Sequence, residues 1–224
     1  HAPDARHIAV VNDAFGALTA SLVRERPETH VRSVLDAHTT LLATRHNLGL
    51  NELDLDDRVT FTCGPTAIEG PPIDAAIIKV PKTLALLEDQ LLRLRPVLHP
   101  NAVIVGAGMT RHIHTSTIAL FDGILGSTST SLARKKARLI HATLDPDLDP
   151  RAHRGEGPFP TTFEFDDGRG PGFTVHSHAG VFSRERLDGG TRLLLEHMPP
   201  TTGPKRIVDL GCGNGIVGTR AALE

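Results

Sequence analysis

A doubly wound α/β fold around a mostly parallel sheet is what this sequence predicts, on three observations. Five short apolar runs rich in Val, Ile and Ala recur between residues 7 and 105. Segments with helical periodicity separate them. The runs end in Asp, Gly or Pro, residues that stop a strand and turn the chain. Strands that alternate with helices at this spacing pair in parallel, because each helix carries the chain back to the same end of the sheet.

In chain order, residues 7–12 (His-Ile-Ala-Val-Val-Asn) form the first buried strand, with Asp13 at its end. Residues 14–26 place Phe15, Leu18 and Leu22 at helical spacing and stop before Pro27. The second strand, 31–35, ends in Asp36, and helix 38–48 stops at Gly49. Strands follow at 59–63 and 75–80, then a strong helix at 83–94 before Pro96, a fifth strand at 102–105 and a helix at 115–125. Residues 138–144 and 173–177 read as later strands, expected to form an antiparallel pair that closes the sheet. The Pro-, Gly- and charge-rich stretch 145–172 between them reads as a mobile loop. From Phe182 a new organisation starts: Ser183 is expected to cap a helix running through 187–197, Pro199 and Pro200 break it, and Ile207 opens a terminal strand.

Residues 8–22 (IAVVNDAFGALTASL) and 207–223 (IVDLGCGNGIVGTRAAL) share one plan: apolar strand, Asp, turn, small-residue helix. The first copy keeps only Gly16 where the second has Gly211, Gly213 and Gly215. This pattern reads as a duplication whose first site has decayed.

Composition narrows the function classes. The 224 residues allow one large domain, or one plus part of another. The formal charge is −2, with no Trp or Tyr and only eight Phe, so stacking platforms for single strands are scarce. Positive charge is local: residues 91–144 hold seven Lys or Arg and one acid, Asp122. Lys79, Lys82, Arg111, Arg134, Lys135, Lys136 and Arg138 are therefore candidate phosphate contacts, against the simpler reading of a solvated face. Cys63 and Cys212 read as reduced, since a disulfide would distort the turn holding Cys212, and the compartment as cytoplasmic. No secretory signal or membrane-length apolar run is visible. His1 stands where an initiator Met would, so a trimmed N-terminus is expected. The pairs His112/His114 and His176/His178 lack a third ligand of obvious geometry, and no metal is assigned. Asp36 reads as a relic of a ribose contact or as a cap for the helix at His38.

The glycine turn carries the chemistry. Its glycines permit positive φ and close backbone approach to a ligand, and the helix it opens presents free N–H groups. Gly-x-Gly-x-Gly alone is shared by dinucleotide enzymes and plain tight turns. The full string Val208-Asp209-Leu210-Gly211-Cys212-Gly213-Asn214-Gly215 resembles the first motif of S-adenosylmethionine-dependent methyltransferases. That resemblance implies a class I methyltransferase fold, with Asp209, Gly211, Gly213, Asn214 and Gly215 as cofactor contacts.

Longer strings point further. Val11-Asn12-Asp13-Ala14-Phe15-Gly16-Ala17-Leu18, Ile78-Lys79-Val80-Pro81-Lys82-Thr83-Leu84 and His114-Thr115-Ser116-Thr117 are three of them. Ala133-Arg134-Lys135-Lys136-Ala137-Arg138-Leu139-Ile140, Val181-Phe182-Ser183-Arg184 and Leu187-Asp188-Gly189-Gly190-Thr191-Arg192 are the others. Together they resemble the ribosomal RNA guanine-N2 methyltransferases, the large-subunit enzyme more than its small-subunit relative, over nearly the whole chain. The family carries two methyltransferase-like domains in tandem, the first degenerate and RNA-binding, the second catalytic. The resemblance therefore implies an RNA-docking domain over 1–180, then a linker helix and the first cofactor motif over 181–224. It implies S-adenosylmethionine as cofactor of the intact protein and ribosomal RNA as partner, with no DNA or membrane role and a monomeric state.

An active amino-methyltransferase should end its fourth strand in Asn/Asp-Pro-Pro-aromatic, which aligns the exocyclic amine with the sulfonium methyl. The matching place here is Lys79-Val80-Pro81-Lys82, with no amide, carboxylate or ring and two positive charges. The second domain's copy would lie beyond Glu224 and is absent from this chain, so no catalytic residue is assigned and the chain alone is expected to be silent. Without neighbouring strands, the Gly211–Gly215 turn is expected to be either disordered or packed on the first domain. Two other readings stay open: an RNA- or protein-binding scaffold on a dead methyltransferase fold, and a small-molecule methyltransferase.

Overall fold

The structure is a computed structural model that describes residues 4–53, 57–150, 158–199 and 206–223. It divides into two compact units, His1–Glu156 and Gly157–Glu224.

In the first unit seven strands form one sheet: β1 (His7–Val11), β2 (His30–Leu35), β3 (Val59–Cys63), β4 (Ile73–Lys79), β5 (Leu98–Met109), β6 (Thr128–Thr130) and β7 (Ala137–Ala142). Their order is β3-β2-β1-β4-β5-β7-β6. The first five are mutually parallel, and β7 runs antiparallel to both β5 and β6. Helices α1 (Ala17–Glu25), α2 (His38–Leu50), α3 (Leu84–Leu94) and α4 (Thr115–Ile124) make the crossovers.

The first strand shows why the runs are apolar throughout. Ile8 and Val10 join Val23, Val31 and Leu48 in one core, while Ala9 and Val11 join Ile78, Leu87, Leu91 and Phe121 in the other. Successive side chains point to opposite faces, and helices cover both faces, so alternation disappears. Phe121 of α4 is fully buried over Gly106 of β5, where a Cβ would come within 2.8 Å of its ring.

Strand order reverses between β1 and β4, and in open α/β sheets such a point makes a crevice at the C-terminal ends of the strands. Register brings the neighbouring ends level: Val11 pairs with Val34 and Ile78, Lys79 with Ala107, and Met109 with Ala137.

In the second unit, β8 (Thr161–Phe165) and β9 (Phe173–Ser177) form an antiparallel hairpin, followed by α5 (Gly189–Glu196) and α6 (Ile216–Leu223). Phe165, Val175, Leu195 and Ile216 are its core. Arg220 of α6 is fully buried there, 2.8 Å from Asp167 and 5.5 Å from the ring centres of both Phe165 and Phe173. Thus α6 is seated on the β8–β9 hairpin of its own unit, which lies within residues 1–180.

Several expectations need correction. Residues 138–144 and 173–177 do not pair: β7 lies between β5 and β6, while β9 pairs with β8. Strands β6 and β8 escaped sequence reading because one is three residues of Thr and Ser and the other lies inside the expected loop. Of that loop, residues 151–157 lie outside the described residues. Ser183 caps no helix, its Oγ donating to Arg186 O. Asp188 is the cap: its Oδ1 accepts from the N–H groups of Gly190 and Thr191, and Oδ2 from the Thr191 hydroxyl at 2.6 Å. These bonds, the hydroxyl first, hold its carboxyl below the usual range. Ile207 opens no strand, since residues 206–209 join no ladder. Pro200, expected to break the helix, lies outside the described residues.

Candidate functional site

The two turns singled out by the repeat follow one backbone path. Asn12, Ala14 and Gly16 have φ of 62, 54 and 85°, and Gly211, Gly213 and Gly215 have 75, 55 and 79°. Gly16 N–H donates to Asp13 O and Gly215 N–H to Cys212 O; Ala20 N–H donates to Gly16 O and Thr219 N–H to Gly215 O. The first turn has the same geometry with glycine at only one of the three positions where glycine would hold it without strain.

What surrounds the first turn closes it. Asn12 Nδ2 donates to Lys79 O at 3.0 Å and to Gln90 Oε1 at 2.8 Å, and Gln90 Nε2 returns a bond to Asn12 Oδ1. This network spans the β1/β4 switch point. Asp13 takes the N–H groups at the start of α1, Leu18 at 3.1 Å and Thr19 at 2.7 Å. Helix α2 covers the turn from its other side: Asn47 Nδ2 donates to Phe15 O, and a Cβ on Gly16 would lie 2.5 Å from Thr44 Cγ2. Gln90 was not singled out from sequence. Its signal was a polar residue on the apolar stripe Leu87-Leu91-Leu94.

The second turn is open by contrast. Among the described residues, and leaving out the chain neighbours, no atom lies within 4 Å of a Cβ built on Gly211, and only one, at 4.0 Å, near each of those on Gly213 and Gly215. Packing therefore does not demand these glycines; their positive φ does, and it leaves the backbone open to close approach of a ligand. Asp209 Oδ2 accepts from Gly218 N–H at 3.0 Å, the counterpart of the Thr19 N–H taken by Asp13. A carboxylate accepts several bonds, so Asp209 keeps capacity for a cationic or hydroxyl group. Asp209, Gly211, Gly213, Asn214 and Gly215 fit a nucleoside-type cofactor; the first turn, sealed by its own side chains, does not.

The seven basic candidates fall along one edge. Lys79 ends β4, Lys82 follows it, and Arg111 follows β5. Arg134, Lys135, Lys136 and Arg138 lie at the β6–β7 tip, held at the end of β5 by the Met109–Ala137 pair and by Thr110 N–H donating to Lys136 O at 2.8 Å. All are exposed except Arg138, which is half-buried. They therefore line the C-terminal edge of the sheet.

Asp36 caps nothing: the N-cap of α2 is Ala37, with no side-chain bond. Its carboxyl is raised by the protein packed around it, with Arg93 opposing and Asp89 adding. Both cysteines are free. Among the described residues no group of three His, Cys, Asp or Glu could hold a metal, and no helix is long and apolar enough to cross a membrane.

Residues 1–146 match the family model of the RLMG N-terminal domain. The chain belongs to the RLMG N-terminal domain family. Residues 172–224 match the Methyltransferase small domain. A member of this family from Streptomyces avermitilis, named ribosomal RNA large subunit methyltransferase G, is 48% identical over 218 residues, covering 96% of this chain and 55% of that protein. The protein of the same name from Pseudomonas aeruginosa (strain UCBPP-PA14) is 44% identical over 216 residues, 96% of this chain and 54% of its own length. The chain spans about half the length of the curated relatives it matches. A T. thermophilus 16S rRNA N2 methyltransferase, solved with AdoMet and guanosine, is similar at a TM-score of 0.63 and 17% identity, over 85% of this chain and 47% of that one. The mitomycin 7-O-methyltransferase reaches 0.51 at 15% identity, over 65% and 50%. The fold of this RLMG-family chain is that of class I methyltransferases.

Proposed function

We propose that this chain supplies the RNA-docking half and the first cofactor turn of an S-adenosylmethionine-dependent methyltransferase acting on a guanine N2 of ribosomal RNA. Its first unit and the hairpin after it, residues 1–180, serve docking; residues 181–224 contribute the linker helix and cofactor motif. The observation that carries this reading is the contrast between the turns: one backbone path, sealed in the first copy by Asn12, Asp13 and Gln90, and open in the second beside Asp209.

The cofactor brings a methyl group made electrophilic by sulfonium. Asp209 and the backbone from Gly211 to Gly215 would hold it, while Lys79-Val80-Pro81-Lys82 offers nothing to position an amine and repels a sulfonium. The first unit therefore contributes binding and not chemistry, and the chain alone is inactive. Its basic edge suits sequence-blind phosphate contact, which fixes position and leaves base selection to the catalytic half. Names of the RLMG relatives favour ribosomal RNA as the partner.

The deciding experiment is binding to protein-free large-subunit ribosomal RNA across salt. Engagement of several of the seven cations gives a slope of log K against log salt of about −0.7 to −0.9 per phosphate neutralised. Binding insensitive to salt, or none, would reduce the first unit to a folding scaffold. A parallel S-adenosylmethionine titration should show saturable binding by a longer protein carrying the rest of the relatives' length and none by this chain.

A further inference from the structure

The β6–β7 hairpin has a feature that phosphate contact does not use. Ser131 N–H donates to Leu139 O at 3.0 Å; three residues on along one strand and two back along the other, Arg134 and Ala137 exchange N–H···O bonds of 2.9 Å. Between these pairs one side of the hairpin holds Leu132 and Ala133, while the other holds only Arg138. Two residues opposite one make a β-bulge, which bends the strand and re-aims a side chain. Here it turns Leu132 outward to 93% exposure.

A lone exposed leucine is ordinary on a protein surface. This one stands on a braced arm. Ser131 Oγ accepts from Leu139 N–H and donates to Leu132 O, both at 3.0 Å, and Thr110 N–H holds Lys136 O from the end of β5. The turn beyond the bulge is Lys135-Lys136, with φ of 49 and 62°. Both central residues of such a two-residue turn are left-handed, and Asn-Gly fills it at least cost. Two lysines there put charge at the tip in spite of strain. Arg138, opposite the bulge, keeps its Nε buried without a hydrogen-bond partner among the described residues.

An exposed apolar side chain on a hydrogen-bonded hairpin, followed two to four residues on by Arg134, Lys135 and Lys136, matches a polyanion with apolar faces between its charges, which is the chemistry of RNA. We propose that Leu132 is an unstacking wedge: resting on the RNA-docking reading, it inserts between two neighbouring bases while Arg134, Lys135 and Lys136 hold the phosphates beside it. Aliphatic wedges open base steps in this way, the unstacking cost being offset by the contacts the distorted backbone then makes. A guanine whose exocyclic amine is to be reached must leave its stack, so a wedge on the docking unit prepares the substrate for the catalytic half.

The test uses the full chain and protein-free bacterial large-subunit ribosomal RNA, read with a 2′-hydroxyl acylating reagent at saturating protein. The wild-type chain should raise reactivity at one or two adjacent nucleotides. Leu132→Ala should abolish that gain while Kd moves by less than about threefold, and Leu132→Met should restore it. The double reversal Lys135→Glu, Lys136→Glu should weaken binding by about tenfold or more. A gain that persists in Leu132→Ala, or wild-type binding with no localised gain, overturns the wedge and leaves docking intact. Wild-type RNA binding that is absent, or unmoved by the charge reversal, overturns the docking reading and the wedge with it.

Discussion

Asn12 and Gln90 lock their side-chain amides together at the point where the strand order reverses, Nδ2 donating to Oε1 and Nε2 to Oδ1 at 2.8 Å each way. The pair fills the point where open α/β sheets place their ligand crevice. Gln90 is 3% exposed, so its polarity is tolerable only while Asn12 answers both halves of the amide. Gln90→Ala should cost about 1–3 kcal/mol in denaturant unfolding, because Asn12 Oδ1 loses its donor in a part-buried site while Nδ2 keeps only Lys79 O. It should not create a cofactor site, since Asp13 still takes the N–H groups of Leu18 and Thr19. Saturable S-adenosylmethionine binding by the Gln90→Ala chain would show that one amide pair, and not loss of the whole motif, keeps the first turn shut.

The retained geometry of that turn makes a second, opposite pair of predictions. Ala14 is held at φ 54° without the freedom of glycine. Ala14→Gly should therefore stabilise the first unit, by up to about 1 kcal/mol. Gly16→Ala should destabilise by about 2 kcal/mol or more, adding left-handed strain to a 2.5 Å clash with Thr44 Cγ2. Thermal unfolding of the two variants decides it. If both move in the same direction, the turn is not held as described.

The parallel half of the sheet was legible because Val11, Val34 and Ile78 lie in runs buried on both faces, and such runs need no partner to be recognised. The antiparallel end was not. Thr128–Thr130 has no apolar signal, and β7 was assigned the wrong neighbour because pairing across a hairpin depends on turn chemistry that Lys135-Lys136 disguises. At the candidate site, the glycines and Asp209 could be read from spacing, and the basic edge from charge. The sealing of the first turn could not, because Asn12 and Gln90 meet only after folding, 78 residues apart in sequence. Ser183 and Asp188 both offer a capping oxygen in sequence, and only the backbone decides that Asp188 is the cap.

At the opposite end of the sheet His7 stacks on His30 at 5.4 Å between ring centres. Burial first, then the Arg32 charge and the neighbouring His30 and Arg6, hold His7 below the ordinary histidine range; Asp74 opposes them. The folded state thus prefers neutral His7. As pH falls through the ordinary histidine midpoint of about 6.5 the unfolded chain takes up the proton first, so stability is lost on acidification and is fully present above that pH. Asp74 adds to the acid loss further down. Burial would raise its carboxyl, but the N–H bonds from His7 and Arg6, both 2.9 Å, outweigh it and leave it lowered. His7→Gln should flatten the loss between pH 7 and 5 in urea unfolding and leave the limb below pH 4 in place. An unchanged profile would remove His7 from the account.

In the second unit the fully buried Arg220 rests on one carboxylate, Asp167 at 2.8 Å, and on the rings of Phe165 and Phe173. Breaking such a pair leaves a charge with nowhere to go, which costs more than replacing both partners. Asp167→Asn should cost about 2–4 kcal/mol, reduced from the fully buried case by the partial exposure of Asp167. Arg220→Met should be milder, because it fills the space between the rings without a charge. Hydrogen exchange over the α6 amides measures both, and equal protection in the two variants would argue that the rings, not the ion pair, seat the helix.

Stability and binding oppose each other at one turn. Lys135 and Lys136 are left-handed at the β6–β7 tip, a conformation that costs each about 1 kcal/mol relative to Asn-Gly. Lys135→Asn with Lys136→Gly should raise stability by about 1–2 kcal/mol, or a few degrees in Tm for a unit of this size. The same change removes two charges from the basic edge and should weaken RNA binding and shallow its salt slope by about 1 to 2. Proteins keep strained residues where function needs them more than folding does. A variant that is both more stable and equally tight on RNA would mean that the two lysines occupy the turn without serving it.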